Sequence, residues 1–128
     1  MDKKILITAL SFGLISIVLG AFGAHALKKV LTLDQLNSFE VGVRYMMYHA
    51  LFLLFLGTTS ILLPEQKNVV YNLTLAGTLF FSVSIFLLST QALSGFNFKF
   101  LGPITPIGGV LLIAAWAVTI YYIITKKG

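Results

Sequence analysis

Four long runs free of charged residues divide the chain, at 5–27, 45–64, 68–98 and 100–125, and they hold 23, 20, 31 and 26 residues. Each reaches the roughly 20 residues that a helix rising about 1.5 Å per residue needs to cross the hydrocarbon core of a bilayer. The runs predict four transmembrane helices at about 5–27, 40–63, 69–93 and 106–124. The expected fold is all-α: a single-domain integral membrane four-helix antiparallel bundle, residues 1–128, with a short interfacial helix between helices one and two.

The connections carry their own signals. After Lys28 and Lys29, Thr32 and Gln35 have the spacing of a capping box, and Leu33, Leu36, Phe39 or Glu40, Val43 and Met47 recur at helical spacing. That amphipathic piece is expected to lie in the interface before turning into helix two. Glu40 and Arg44 stand four apart there, so they can pair and position the arginine. Pro64 is expected to close helix two, with 65–68 as a tight turn and helix three running on without a proline. Between helices three and four, Phe96, Phe98, Phe100 and Lys99 suit the headgroup level. Gly102 and Thr105 precede prolines, so Thr105 is expected to cap helix four and Pro106 to occupy its first turn.

Composition narrows the function classes. The chain is 58% hydrophobic and 10% charged, with a mean hydropathy of +0.96, which excludes a water-soluble domain. No room is left for a soluble catalytic domain, so any chemistry belongs to side chains in or at the edge of the bundle. The net charge of +5 would suggest nucleic acid in a soluble protein. Here the lysines sit at the ends of apolar runs, where they anchor to headgroups, and no basic face or stacking platform exists. The absence of cysteine removes disulfides, thiolate nucleophiles and thiolate metal sites. At the N-terminus, Lys3, Lys4, an apolar run and Ala24-His25-Ala26 imitate a signal peptide, but the run exceeds a signal core of about 7 to 15 residues and is expected to be a retained helix.

Small residues mark the helix contacts. Ala9, Gly13, Ser16, Gly20 and Ala24 form a stripe on helix one, joined by Gly23, and Gly77 and Ser84 stand one heptad apart on helix three with Ser82 beside them. Plain close packing is the bland reading of both.

Connectivity yields the functional argument. In a four-pass antiparallel bundle the end of helix one, the start of helix two, the end of helix three and the start of helix four share one membrane side. His25, Arg44, Tyr45, Tyr48, His49, Gln91 and the 102–109 segment are therefore expected in or near one leaflet, and polar residues at membrane depth are a functional hypothesis by default. The side holding the termini carries Lys3, Lys4, Lys67, Lys126 and Lys127, five positives, against Lys28, Lys29, Arg44 and Lys99, four, on the other. The termini are accordingly expected in the cytoplasm.

At this point the residues resemble a known family. The runs Gly20-Ala-Phe-Gly23-Ala-His25-Ala-Leu27 and Gly42-Val-Arg44-Tyr45-Met-Met-Tyr48-His49-Ala-Leu51, the pair Phe81-Ser82, and Leu101-Gly-Pro103-Ile-Thr105-Pro106-Ile-Gly108-Gly109 followed by Trp116 look like the YgdD/YwdK family, DUF423. These are small four-helix bacterial inner-membrane proteins, similar to a eukaryotic transmembrane protein of comparable size. The resemblance covers nearly the whole chain and implies fold and inner-membrane location, with no activity attached. Val83 and Ala115 depart from the glycines of that pattern, which predicts looser helix contacts there.

Two function classes follow from the polar residues. Tyr45 and His49 are four apart, as are Arg44 and Tyr48, and imidazole with phenol can form a proton relay. The bland alternative is that His25 and His49 satisfy each other or backbone groups. Arg44 with the helix start at Thr105, Gly108 and Gly109 can take an anion or a lipid headgroup phosphate. Two histidines without an intramembrane carboxylate or cysteine are too few for a zinc site, axial haem ligation would need histidines paired at matched depth, and no serine has a base and carboxylate beside it. No cofactor, metal or catalytic residue is therefore expected. The favoured reading is a non-enzymatic membrane protein whose partners are membrane lipids and a homo-oligomer or larger membrane complex, without nucleic acid. An oligomeric small-anion or proton channel is the alternative.

Overall fold

A computed structural model describes residues 2–127. Among them four helices are long and apolar enough to cross a membrane: α1 (Lys3–His25), α2 (Leu33–Thr58), α3 (Pro64–Ser89) and α4 (Ile104–Ile124). No strand occurs among the described residues, so the all-α membrane bundle stands.

The amphipathic segment is no separate interfacial helix. It forms the first turns of α2, which runs unbroken from Leu33 to Thr58. The Thr32 hydroxyl accepts from the Gln35 amide at 3.2 Å, and the Gln35 side chain accepts from the Thr32 amide at 2.9 Å. That capping box starts the helix, and the apolar face of Phe39 and Met46 then continues without a proline that would halt it. Between α1 and α2 stands only a 3-10 turn, Leu27–Lys29.

Three other boundaries move for local reasons. Helix α2 ends at Thr58, and Pro64 begins α3 rather than closing α2, because its fixed φ suits the first helical position. Leu63 before it is extended, and its amide donates to the Gln66 side chain at 3.0 Å. Helix α3 stops at Ser89 instead of about 93. The Ser89 and Thr90 hydroxyls and the Thr90 amide all turn back on the Phe86 carbonyl, and one further helical turn, Gln91–Ser94, closes on Gly95 at φ +77°. Pro103, not Thr105, occupies the cap position of α4, so Thr105 lies inside the first turn with Pro106 behind it.

The chain is layered, with α1 against α2, α2 against α3 and α3 against α4. The core joins Ile5, Ala9 and Phe12 of α1 to Ala50, Leu53 and Leu56 of α2, Val70 and Tyr71 of α3 and Ala115 of α4. Ala115 is fully buried and Val83 packs partly buried against the same core, so the contacts expected to be loose at these two positions are filled. The termini are tied in: the Asp2 amide donates to the Gly57 carbonyl at 3.1 Å, and Lys126 Nζ to the Ile61 carbonyl at 2.8 Å.

Glycines set the helix register. A Cβ built on Gly13 would lie 3.9 Å from the Ala50 Cβ, one on Gly20 3.5 Å from Val43, and one on Gly23 3.0 Å from Phe39. Gly13, Gly20 and Gly23 of the α1 stripe thus face α2 within the chain, while Ala24 at its end stays exposed. On the other side Gly77 faces Leu112, and Gly108 lies against the backbone of Phe80 and Phe81.

Candidate functional site

The α1–α2 register fixes depth. It sets His49 opposite Leu14, within a few residues of the centre of the apolar run 5–27, and Arg44 opposite Leu19. His25 lies at the last residue of α1, about 16 Å farther along the axis than Leu14 at 1.5 Å per residue. The two imidazoles therefore do not share a depth. Sequence connectivity specified which end of each helix faces which side, but not how many turns inside the membrane each residue sits.

His49 is 4% exposed and fully engaged. Its Nε2 accepts from the Trp116 indole N–H on α4 at 2.9 Å. An indole nitrogen can only donate, so Nε2 carries no proton, and the ring N–H sits on Nδ1, which donates to the Tyr45 carbonyl one turn back at 2.7 Å. Phe52 stacks on the Trp116 ring at 4.5 Å between centroids, and the imidazole stands edge-on to both rings. A polar ring at mid-membrane is satisfied by one neighbour and one backbone group, as burial away from water demands.

The tyrosines do not complete a relay. His49 takes the Tyr45 backbone carbonyl, while the Tyr45 ring packs on Phe81 at 5.1 Å and on Tyr48 at 5.5 Å. Tyr48 is half exposed and Arg44 is exposed on the outer face of α2. His25 is exposed at the end of α1 and does not reach His49. Gln91 serves the loop, its side-chain oxygen accepting from the Phe98 amide at 2.9 Å. The structure thus brings Tyr45, Tyr48 and His49 together and leaves His25, Arg44 and Gln91 apart from them.

The residues expected to hold an anion are likewise dispersed. The Thr105 hydroxyl is 2.6 Å from the Ser84 hydroxyl, joining α4 to α3. Gly108 is buried where a Cβ would collide with the Phe80–Phe81 backbone and stand 2.9 Å from the Gly77 carbonyl, so this part of the helix start faces protein. Gly109 has room, 3.7 Å from the Phe81 ring. Among the described residues no group of three or more His, Asp or Glu side chains gathers in a metal-holding arrangement.

The close approach of Gly108 coincides with a π-helical turn, Leu79–Val83, inside α3. A π turn inserts one residue and rotates the rest of the helix about its axis. Here Ser82 is fully buried, and its hydroxyl donates to the Gly42 carbonyl on α2 at 2.8 Å. Ser84 Oγ donates to the Phe80 carbonyl as well as meeting Thr105. Two serines two residues apart thereby bind helices on two sides.

Comparison with known proteins places this arrangement. Residues 19–109, which hold the Gly23, Tyr45–His49, π-turn and Gly108 features, match the family described as "Protein of unknown function (DUF423)". The chain belongs to the DUF423 family. It is 41% identical to a UPF0382 membrane protein of Staphylococcus aureus, with 79% of each chain covered. It is 38% identical to the UPF0382 membrane protein YwdK of Bacillus subtilis, covering 80% of this chain and 81% of YwdK. It is 32% identical to the UPF0382 inner membrane protein YgdD of Escherichia coli, covering 98% of this chain and 93% of YgdD. No solved structure matches it. As a DUF423 protein it is a membrane protein of an uncharacterised family, as its resemblance to YwdK and YgdD implied.

Trp116 is the site residue that sequence reasoning passed over, having served only as a mark of the family. The signal was present: an indole N–H in the middle of an uncharged run needs an acceptor within the membrane. Many hydroxyls in the spans could accept it as well as His49, so the sequence posed the question without naming the partner.

Proposed function

We propose that this DUF423 protein is a non-enzymatic inner-membrane module, a closed helical unit that acts through its outer surface on lipid or on a larger membrane assembly. The observation that carries this reading is the full engagement of His49, whose two ring nitrogens are spent on Trp116 and on the Tyr45 carbonyl. A proton relay needs a nitrogen free to exchange its proton, and a ligand site needs a free lone pair. The anion reading loses its support in the same way, since Arg44, Thr105 and Gly108 do not converge.

The outward face that remains is Arg44, Tyr45 and Tyr48 on α2. An arginine about a turn or two inside the apolar run can extend along the helix to a phosphate at the surface. The five-to-four distribution of positive residues supports cytoplasmic termini. Purified protein reconstituted in liposomes with a pH-sensitive dye or a chloride-sensitive dye is expected to give no flux above protein-free vesicles. Flux that falls on Arg44→Ala or His49→Ala would establish the channel in its place.

A further inference from the structure

The loop side of the protein carries Lys28, Lys29, Arg44 and Lys99 together with the acids Asp34 and Glu40. Within it lies a cleft of about 510 Å³ between the first turns of α2, the end of α3 and the start of α4. The single charged residue lining it is Asp34, beside Ser38, Ser89 and Gln91, over an apolar floor of Ile85 and Leu88. Gln91 is also a wall of a neighbouring cleft of about 330 Å³, whose single charged lining residue is Lys99. Gln91 is held between the two by the bond from the Phe98 amide to its side-chain oxygen, which leaves its NH₂ group free to donate.

Two recesses of opposite charge thus share an amide wall. Their level is that of the headgroups: the register places Ser38 opposite His25 at the end of α1, and Asp34 lies one turn beyond it. Phe96, Phe98 and Phe100 stand in the same connection as Lys99. Asp34 also suits the dipole at the start of α2. That role accounts for an acid in the first turn, but not for its facing a recess that shares a wall with a lysine-lined one.

We propose that these two neighbouring clefts, which share Gln91 as a lining residue, together hold the headgroup of a phospholipid bearing a primary ammonium, with its phosphate at Lys99, its ammonium at Asp34 and the Gln91 amide between them. The ammonium N–H groups reach Asp34 as charge-assisted donors, and the apolar floor receives the chain end next to the headgroup. A quaternary ammonium lacks those donors, and a glycerol headgroup lacks the charge. The site goes beyond the module reading: a flux-active protein would retain it, and a flux-silent one would not thereby acquire it.

The test is native mass spectrometry of the delipidated full chain in detergent, titrated separately with phosphatidylethanolamine, phosphatidylcholine and phosphatidylglycerol. Phosphatidylethanolamine is expected to be retained about tenfold better than either of the others, a margin typical of a charge-assisted hydrogen bond. Asp34→Asn removes that margin. Ser38→Phe, an exposed position that does not touch the helix cap, fills the cleft and also removes it. Lys99→Gln weakens all three lipids while the margin persists. Equal retention of the three lipids by the wild type, or a margin that survives both Asp34→Asn and Ser38→Phe with helicity intact by circular dichroism, would overturn the assignment. Displacement of bound phosphatidylethanolamine by free phosphoethanolamine at equal concentration would overturn the lipid as the source.

Discussion

Trp116 and His49, 67 residues apart in the chain, meet at mid-membrane with the indole N–H donating to the imidazole Nε2 at 2.9 Å. The bond ties α4 to α2 across the bundle and, through Nδ1, to the Tyr45 carbonyl. Hydrogen bonds between membrane helices contribute about 0.6 kcal/mol on average and at most about 1.7. Trp116→Phe and His49→Leu are each expected to lower thermal stability by an amount in that range. A double-mutant cycle should return a coupling of about 1 kcal/mol, and a coupling of zero would remove the bond from the account.

The same pair offers an optical test. Trp116 is the sole tryptophan, so intrinsic fluorescence reports this contact alone. His49→Leu is expected to shift the emission to the blue, because the indole loses its hydrogen-bond acceptor. An unchanged spectrum would show that the indole N–H points elsewhere.

Adjacent glycines should behave differently. Gly108→Ala drives a Cβ into the Phe80–Phe81 backbone, and neither backbone can yield without separating α4 from α3. A cost of about 1–3 kcal/mol is expected from such overpacking. Gly109→Ala places its Cβ at ordinary contact, 3.7 Å from a ring, and should be tolerated. Melting curves in detergent for the two variants check the contrast, which equal losses would refute.

Ser82 supplies a further check. Ser82→Ala removes the donor to the Gly42 carbonyl at the π turn, and a loss of about 1 kcal/mol is expected, with the fold retained. Faster hydrogen exchange confined to the α2–α3 contact is the measurement that would locate the effect there.

Orientation can be read directly. A reporter fused at Gly128 is expected to be active in the form that matures in the cytoplasm. Activity of the externally maturing form would reverse the assignment made from five lysines against four positive residues.

The span count was legible because the cost of a charge in hydrocarbon leaves a plain mark on sequence, as the runs 5–27 and 100–125 illustrate. Boundaries were less so. Pro64 reads equally as a stop and as a first helical residue, and only the extended backbone before it decides. Of the candidate site, Tyr45 and His49 were recognisable as neighbours four apart on one helix, yet the side chain that completes the site is on α4.

Sequence alone determined that this chain threads a membrane four times, and that a polar side chain inside it carries a cost unless it finds a partner, since apolar run length and the cost of burial need no knowledge of neighbours. Which group satisfies which was decided only by tertiary structure. The pairing of Trp116 with His49 depends on the rotation and register of helices distant in sequence, and those were set where Gly23, Gly77 and Gly108 let the helices approach and where one π turn in α3 re-aimed Ser82 and Ser84.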